Sequence, residues 1–117
     1  ATGHRQLLHE MSHGEAFLGL HPRQLEGNGL YFLDEPEAAL SPSRQLTLLY
    51  EMNQLAEHGS QLIVATHSPI LLGLPGAQIV SFDGELLHEI PYEETESYQV
   101  TELFINGRER LLRDLLD

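Results

Sequence analysis

The sequence predicts an α/β fold, a sandwich whose first two strands are parallel, followed by a C-terminal β-hairpin and helices. Two short apolar runs, Leu30 to Leu33 and Gln61 to Thr66, are separated by one stretch with helical spacing of its apolar residues. Strands joined by a helical crossover are expected to lie parallel in one sheet. Two further runs, Ile79 to Phe82 and Leu86 to Ile90, flank Asp83-Gly84, the strongest short hairpin signal a sequence offers. The order strand, helix, strand, helix, hairpin is that of an α/β sandwich.

Each element has a local reason. Leu7 to Leu20 reads as a turn and a short helix, because Ser12-His13-Gly14-Glu15 matches a capping box and Ala16, Phe17 and Leu20 give it an apolar side. Pro22 to Gly29 is a connector ending in turn residues. Leu30 to Leu33 is a run without alternation, as expected of a strand buried on both faces. Ser41-Pro42 starts a helix with a hydroxyl cap and a proline in the first turn. Leu48, Leu49, Met52, Leu55 and Ala56 supply its apolar face and Gly59 its stop. Ser68-Pro69 begins another short helix through Leu72. Beyond the hairpin, an acidic loop precedes a helix around Tyr98 to Phe104, and Asn106 with Glu109 caps a last helix carrying Leu111, Leu112, Leu115 and Leu116.

Composition narrows the classes. The 117 residues suffice for one small domain, and 41% hydrophobic content is that of a globular protein. No apolar run approaches the ~18 residues of a membrane span and no leader opens the chain, so the expected location is cytoplasmic. Without cysteine there is neither a disulfide framework nor a thiolate metal site. Eighteen acids against six bases give a net charge of −12, which repels phosphate backbones and argues against direct nucleic-acid contact. All six bases are arginine; there is no lysine.

The residues that carry chemistry sit at strand ends. Leu30 to Leu33 runs directly into Asp34 and Glu35, which places two carboxylates at the C-terminal edge of a parallel sheet, where such folds bind ligands. The first acid can hold Mg²⁺ and the second can orient and deprotonate a water. An acidic turn after a strand explains the same pair equally well on its own. Thirty-two positions after Glu35 the second strand delivers His67 to the same edge, where its imidazole can reach a phosphate oxygen or the water. Upstream, the helix start at Ser12 and Gly14 offers a hydroxyl and a bare amide, an anion site if it is more than a cap. His9 and His13 have metal spacing on a helix, but the segment before Ser12 does not read as helical and no third ligand is evident.

Taken together, Ser12-His13-Gly14-Glu15, Leu30 to Pro36, Ala39-Leu40-Ser41-Pro42 and Ala65-Thr66-His67-Ser68-Pro69 resemble the signature, Walker B, D-loop and H-loop of ABC-type P-loop ATPases, in the broad AAA/ABC grouping. The resemblance implies a partial P-loop NTPase fold, a three-layer sandwich with a mainly parallel sheet, and ATP hydrolysis with Mg²⁺. It implies that Asp34 supports the metal, that Glu35 is the general base and that His67 contacts the γ-phosphate. It also implies that Ser12 and Gly14 bind the nucleotide of the opposite subunit in a head-to-tail homodimer, with Ser41 at that interface. His13 stands where the family usually has glycine, Glu15 where transporters have glutamine, and Ser41 where their D-loop has an aspartate. A Gly-Glu signature ending is closer to the soluble ATPases of the SMC and double-strand-break-repair type.

A phosphate-binding loop needs closely spaced glycines followed by Lys and Ser or Thr, and this sequence has no lysine. Residues 1–117 therefore read as the C-terminal portion of an ABC-type ATPase domain, inactive alone. The alternative is a non-catalytic interaction or regulatory module derived from such an ATPase; Glu35 and His67 favour the enzyme, since a decayed site needs no base. In the implied fold the strand leading to the phosphate loop lies between Gln61–Thr66 and the 77–82 stretch. Without it, those two strands are expected to pair directly or to recruit a strand from another copy.

Overall fold

In a computed structural model describing residues 28–82, 84 and 86–117, the chain is mixed α/β: a parallel pair of strands, a small antiparallel pair and three α-helices among the described residues. It divides into two units, Ala1–Pro75 and Gly76–Asp117. The capping box at Ser12 to Glu15 and the helix expected before Leu20 lie outside the described residues.

Among its described residues, the first unit is a β-α-β element. β1 (Leu30–Asp34) and β2 (Gln61–Ala65) pair in parallel, with Leu30 opposite Gln61 and Asp34 opposite Ala65. Between them runs α1 (Pro42–Glu57), capped by Ser41, whose hydroxyl accepts from the Arg44 amide at 3.3 Å. The chain leaves α1 through Gly59 at φ 93°, a left-handed conformation that glycine adopts at no steric cost. Leu48, Met52 and Leu55 fall on one side of α1 at four- and three-residue spacing and are almost fully buried. Leu48 and Met52 join Leu71 in a core against which Leu33, Leu40, Leu62 and Val64 pack.

Strand alternation explains which residues reach that core. Tyr31, Leu33, Leu62 and Val64 share one face of the sheet; Leu30, Phe32, Asp34, Ile63 and Ala65 share the other. The expectation of a strand buried on both faces is corrected here: Leu30 is 57% and Phe32 69% exposed. A strand loses water only on the side where another layer packs, and α1 covers one side. Of the two strands expected to pair directly or to recruit a strand from another copy, β2 is paired with β1 among the described residues. β3 (Val80–Ser81) pairs with β4 (His88–Glu89), a sequence-local partner that needs only a short loop to close. Leu86 and Leu87 stay outside the ladder, and Asp83 lies outside the described residues.

The short helix expected from Ser68-Pro69 through Leu72 forms as a 3-10 turn over Leu71–Gly73. The buried Ser68 hydroxyl accepts from the Ile70 and Leu71 amides at 3.1 Å each. In the second unit, α2 (Glu96–Asn106) is capped by the buried Thr95, which accepts from the Tyr98 amide at 3.2 Å. α3 (Arg108–Leu116) follows across Gly107. Asn106 does not cap it: it ends α2 and donates its side-chain amide to Glu102 at 3.0 Å.

Candidate active site

The site forms where β1 and β2 end side by side. Glu35 extends their ladder by one step, donating its backbone N–H to Ala65 O at 2.7 Å. The chain then turns sharply, with Glu35 itself at φ 44°, ψ 54° and Pro36 opening a 3-10 turn over Pro36–Ala39. This is the left-handed region, which costs a residue bearing a side chain about 1–2 kcal/mol, and the position before proline is further restricted. Glu35 is the only non-glycine residue with positive φ among those described. Such conformations persist where surrounding bonds hold them, and they concentrate at functional sites.

The register puts the residues after Ala65 beside that turn. His67 Nε2 lies 3.7 Å from Glu35 Oε1, with the two side chains 86% and 56% exposed. That distance is too long for a hydrogen bond, and the exposure means solvent screens the pair heavily. The contact thus fixes little by itself. What it establishes is proximity: a carboxylate and an imidazole at one open sheet edge, able to share a water or a phosphate oxygen. Asp34, opposite Ala65 on the exposed sheet face, stands beside them in sequence.

A second acid ties the two loops together. Glu37 Oε1 accepts from the Thr66 hydroxyl at 2.6 Å, and Glu37 Oε2 accepts from the His67 backbone N–H at 3.1 Å. Partial burial pushes the Glu37 carboxyl upward, but the Thr66 hydroxyl, backbone donors and the His67 charge together bring it below its ordinary value. From Thr66 the bonding continues. Its hydroxyl accepts from the Ser68 amide at 3.0 Å; the Ser68 hydroxyl donates to Gln45 Oε1 at 2.5 Å; Gln45 Nε2 donates to Leu40 O at 3.2 Å. The loops after β1 and β2 are therefore braced to each other and to α1. Sequence reasoning missed Glu37, Thr66 and Gln45 as parts of the site. A hydroxyl directly before His67 and a third acid just after Glu35 were the available signals.

Of the residues expected at the site, the structure brings Glu35 and His67 together and puts Asp34 next to them. Ser41 is exposed at the start of α1. Ser12 and Gly14 lie outside the described residues. A hard cation suits Asp34: Mg²⁺ is bound by one or two carboxylates with phosphate oxygens and water, and the Asp34 carboxylate is an exposed oxygen donor at the sheet edge. No cluster of three metal-binding side chains exists among the described residues.

Comparison with known proteins bears on this edge. The family described as "AAA domain, putative AbiEii toxin, Type IV TA system" matches residues 3–73, a stretch that includes Asp34, Glu35, Glu37 and His67. The macrolide export ATP-binding/permease protein MacB of Marinobacter nauticus is 32% identical over 84 residues, covering 72% of this chain. The chain spans 13% of that relative's length. No solved structure matches the chain.

Proposed function

The chain belongs to the AAA-domain family whose match spans residues 3–73, and from that premise we propose that it supplies the hydrolytic edge of an ABC-type ATPase site. The reaction is in-line attack of water on the γ-phosphorus of ATP. The new P–O bond forms as the bond to the β-phosphate bridging oxygen breaks, releasing ADP and inorganic phosphate. Glu35 orients the water and takes its proton. His67 donates a hydrogen bond to a γ-phosphate oxygen and steadies the charge that gathers there. Asp34 holds the magnesium ion that neutralises phosphate charge when nucleotide is bound. Ser12 and Gly14 contact the nucleotide of the opposite subunit in a head-to-tail homodimer, with Ser41 near that contact.

One observation supports this reading above the others: Glu35 and His67 lie 3.7 Å apart where two parallel strands end. The groups that cradle the phosphates come from outside residues 1–117, since these contain no lysine. No described helix is long and apolar enough to cross a membrane, and we place the site in the cytoplasm with its ATP supply. The name of that relative, an export ATP-binding/permease protein, is consistent with ATP as the ligand.

The test is ATP hydrolysis by the intact protein with magnesium, with a chelator, and as the His67→Ala variant. Magnesium-dependent turnover that His67→Ala reduces at least tenfold supports the reading. Turnover indifferent to both the chelator and His67→Ala refutes it.

A further inference from the structure

Resting on that reading of the site, we propose that Glu37 is a positioning residue for ATP hydrolysis, holding His67 and Glu35 in register by bridging the loops that carry them. The His67 side chain is 86% exposed and lies 3.7 Å from Glu35. A side chain so placed is not fixed by its own contacts; its position is inherited from its backbone. That backbone is anchored by Glu37, whose Oε2 accepts the His67 N–H at 3.1 Å. The other oxygen, Oε1, takes the Thr66 hydroxyl at 2.6 Å. Glu37 belongs to the 3-10 turn directly after the left-handed Glu35, so the same carboxylate also braces the turn that aims Glu35.

Three features make this more than a surface bond. Both carboxylate oxygens are used, and both donors lie about thirty residues away in sequence, on the other loop of the site. An ionised carboxylate accepts such bonds more strongly than a neutral group. Thr66 passes the restraint on, because its hydroxyl also accepts the Ser68 amide at 3.0 Å and Ser68 bonds Gln45 of α1. The carboxylate thereby connects both reacting side chains to the packed core. Both oxygens of Glu37 are taken by the other loop, so its action runs through its neighbours.

The experiment measures steady-state ATP turnover in the intact protein for Glu37→Gln, Thr66→Val and Thr66→Ser, with Glu35→Gln as reference and thermal melting of each. Glutamine keeps the size of Glu37 but offers one acceptor oxygen in place of two. Misplacing reacting groups by an ångström can lower rate by about 100-fold, so Glu37→Gln and Thr66→Val should lower kcat on the order of 10- to 100-fold. KM should change less than about threefold, and Thr66→Ser, which restores the hydroxyl, should recover turnover. If Glu37→Gln turns over like wild type while Glu35→Gln is dead, Glu37 does not position the site and the proposed function stands. A fall in kcat that tracks equal losses in KM and melting temperature, with no recovery in Thr66→Ser, makes Glu37 merely structural and overturns the inference. If Glu35→Gln itself hydrolyses ATP normally, the underlying reading falls and this inference with it.

Discussion

Glu35 donates its backbone N–H to Ala65 O at 2.7 Å, one step past the end of the parallel ladder, and does so in a left-handed conformation. The chain thus keeps sheet pairing up to the acid and reverses direction at it. A glycine would make that turn without strain. The strained position carries a carboxylate instead, which fits a site where side-chain chemistry outweighs backbone ease.

Replacement at this position should separate backbone strain from side-chain chemistry. Glu35→Gly relieves a left-handed cost of about 1–2 kcal/mol but loosens the unfolded chain, so stability should be unchanged or rise by up to about 1 kcal/mol. Glu35→Val, with a branched side chain in the same conformation, should lose about 1–3 kcal/mol relative to glycine. Urea unfolding of both variants checks this. Equal midpoints for glycine and valine mean the turn is not held left-handed in solution.

Acid should weaken the brace between the loops. The Glu37 carboxyl is held below its ordinary value, so its stabilising contribution is complete above its unfolded-state pKa, about 4.3, and is lost as pH falls through the lower folded value. The stability difference between wild type and Glu37→Gln should be constant near neutrality and shrink below about pH 4. Urea midpoints for the pair across that range give the answer. A difference that persists undiminished in acid would show that the Thr66 and His67 bonds do not depend on the ionised carboxylate.

These relationships were unevenly legible. Ser41-Pro42, Gly59 and the spacing of Leu48, Met52 and Leu55 announced α1 because capping and periodicity are local properties of the chain. The meeting of Glu35 and His67 was legible as well, since parallel strands ending together fix which residues follow them. Glu37 was not: its bonds span about thirty residues, and no local rule distinguishes it from another acid in an acidic turn. Thr95 and Asn106 show competition among caps, with Thr95 starting α2 and Asn106 bonding back to Glu102 within it. The exposure of Phe32 was hidden for a different reason. An apolar run reports what a strand is able to bury, while the layer packed against it decides what is buried.

The isolated chain should bind Mg-ATP weakly and turn over none. In P-loop sites most phosphate affinity comes from loop amides and a lysine, and this sequence has no lysine. Titration calorimetry should give no micromolar binding. Micromolar affinity in this chain alone would mean that residues 1–117 hold the phosphates by other groups.

The most direct test of Glu35 as general base is the hydrolysis rate of the intact protein carrying Glu35→Gln. The amide keeps the shape of the side chain and removes its ability to take a proton, so ATP binding and nucleotide-dependent dimerisation should persist. Turnover should fall by roughly 10²–10⁴. Hydrolysis within a few-fold of wild type would show that the proton of the attacking water goes elsewhere and that Glu35 is not the base.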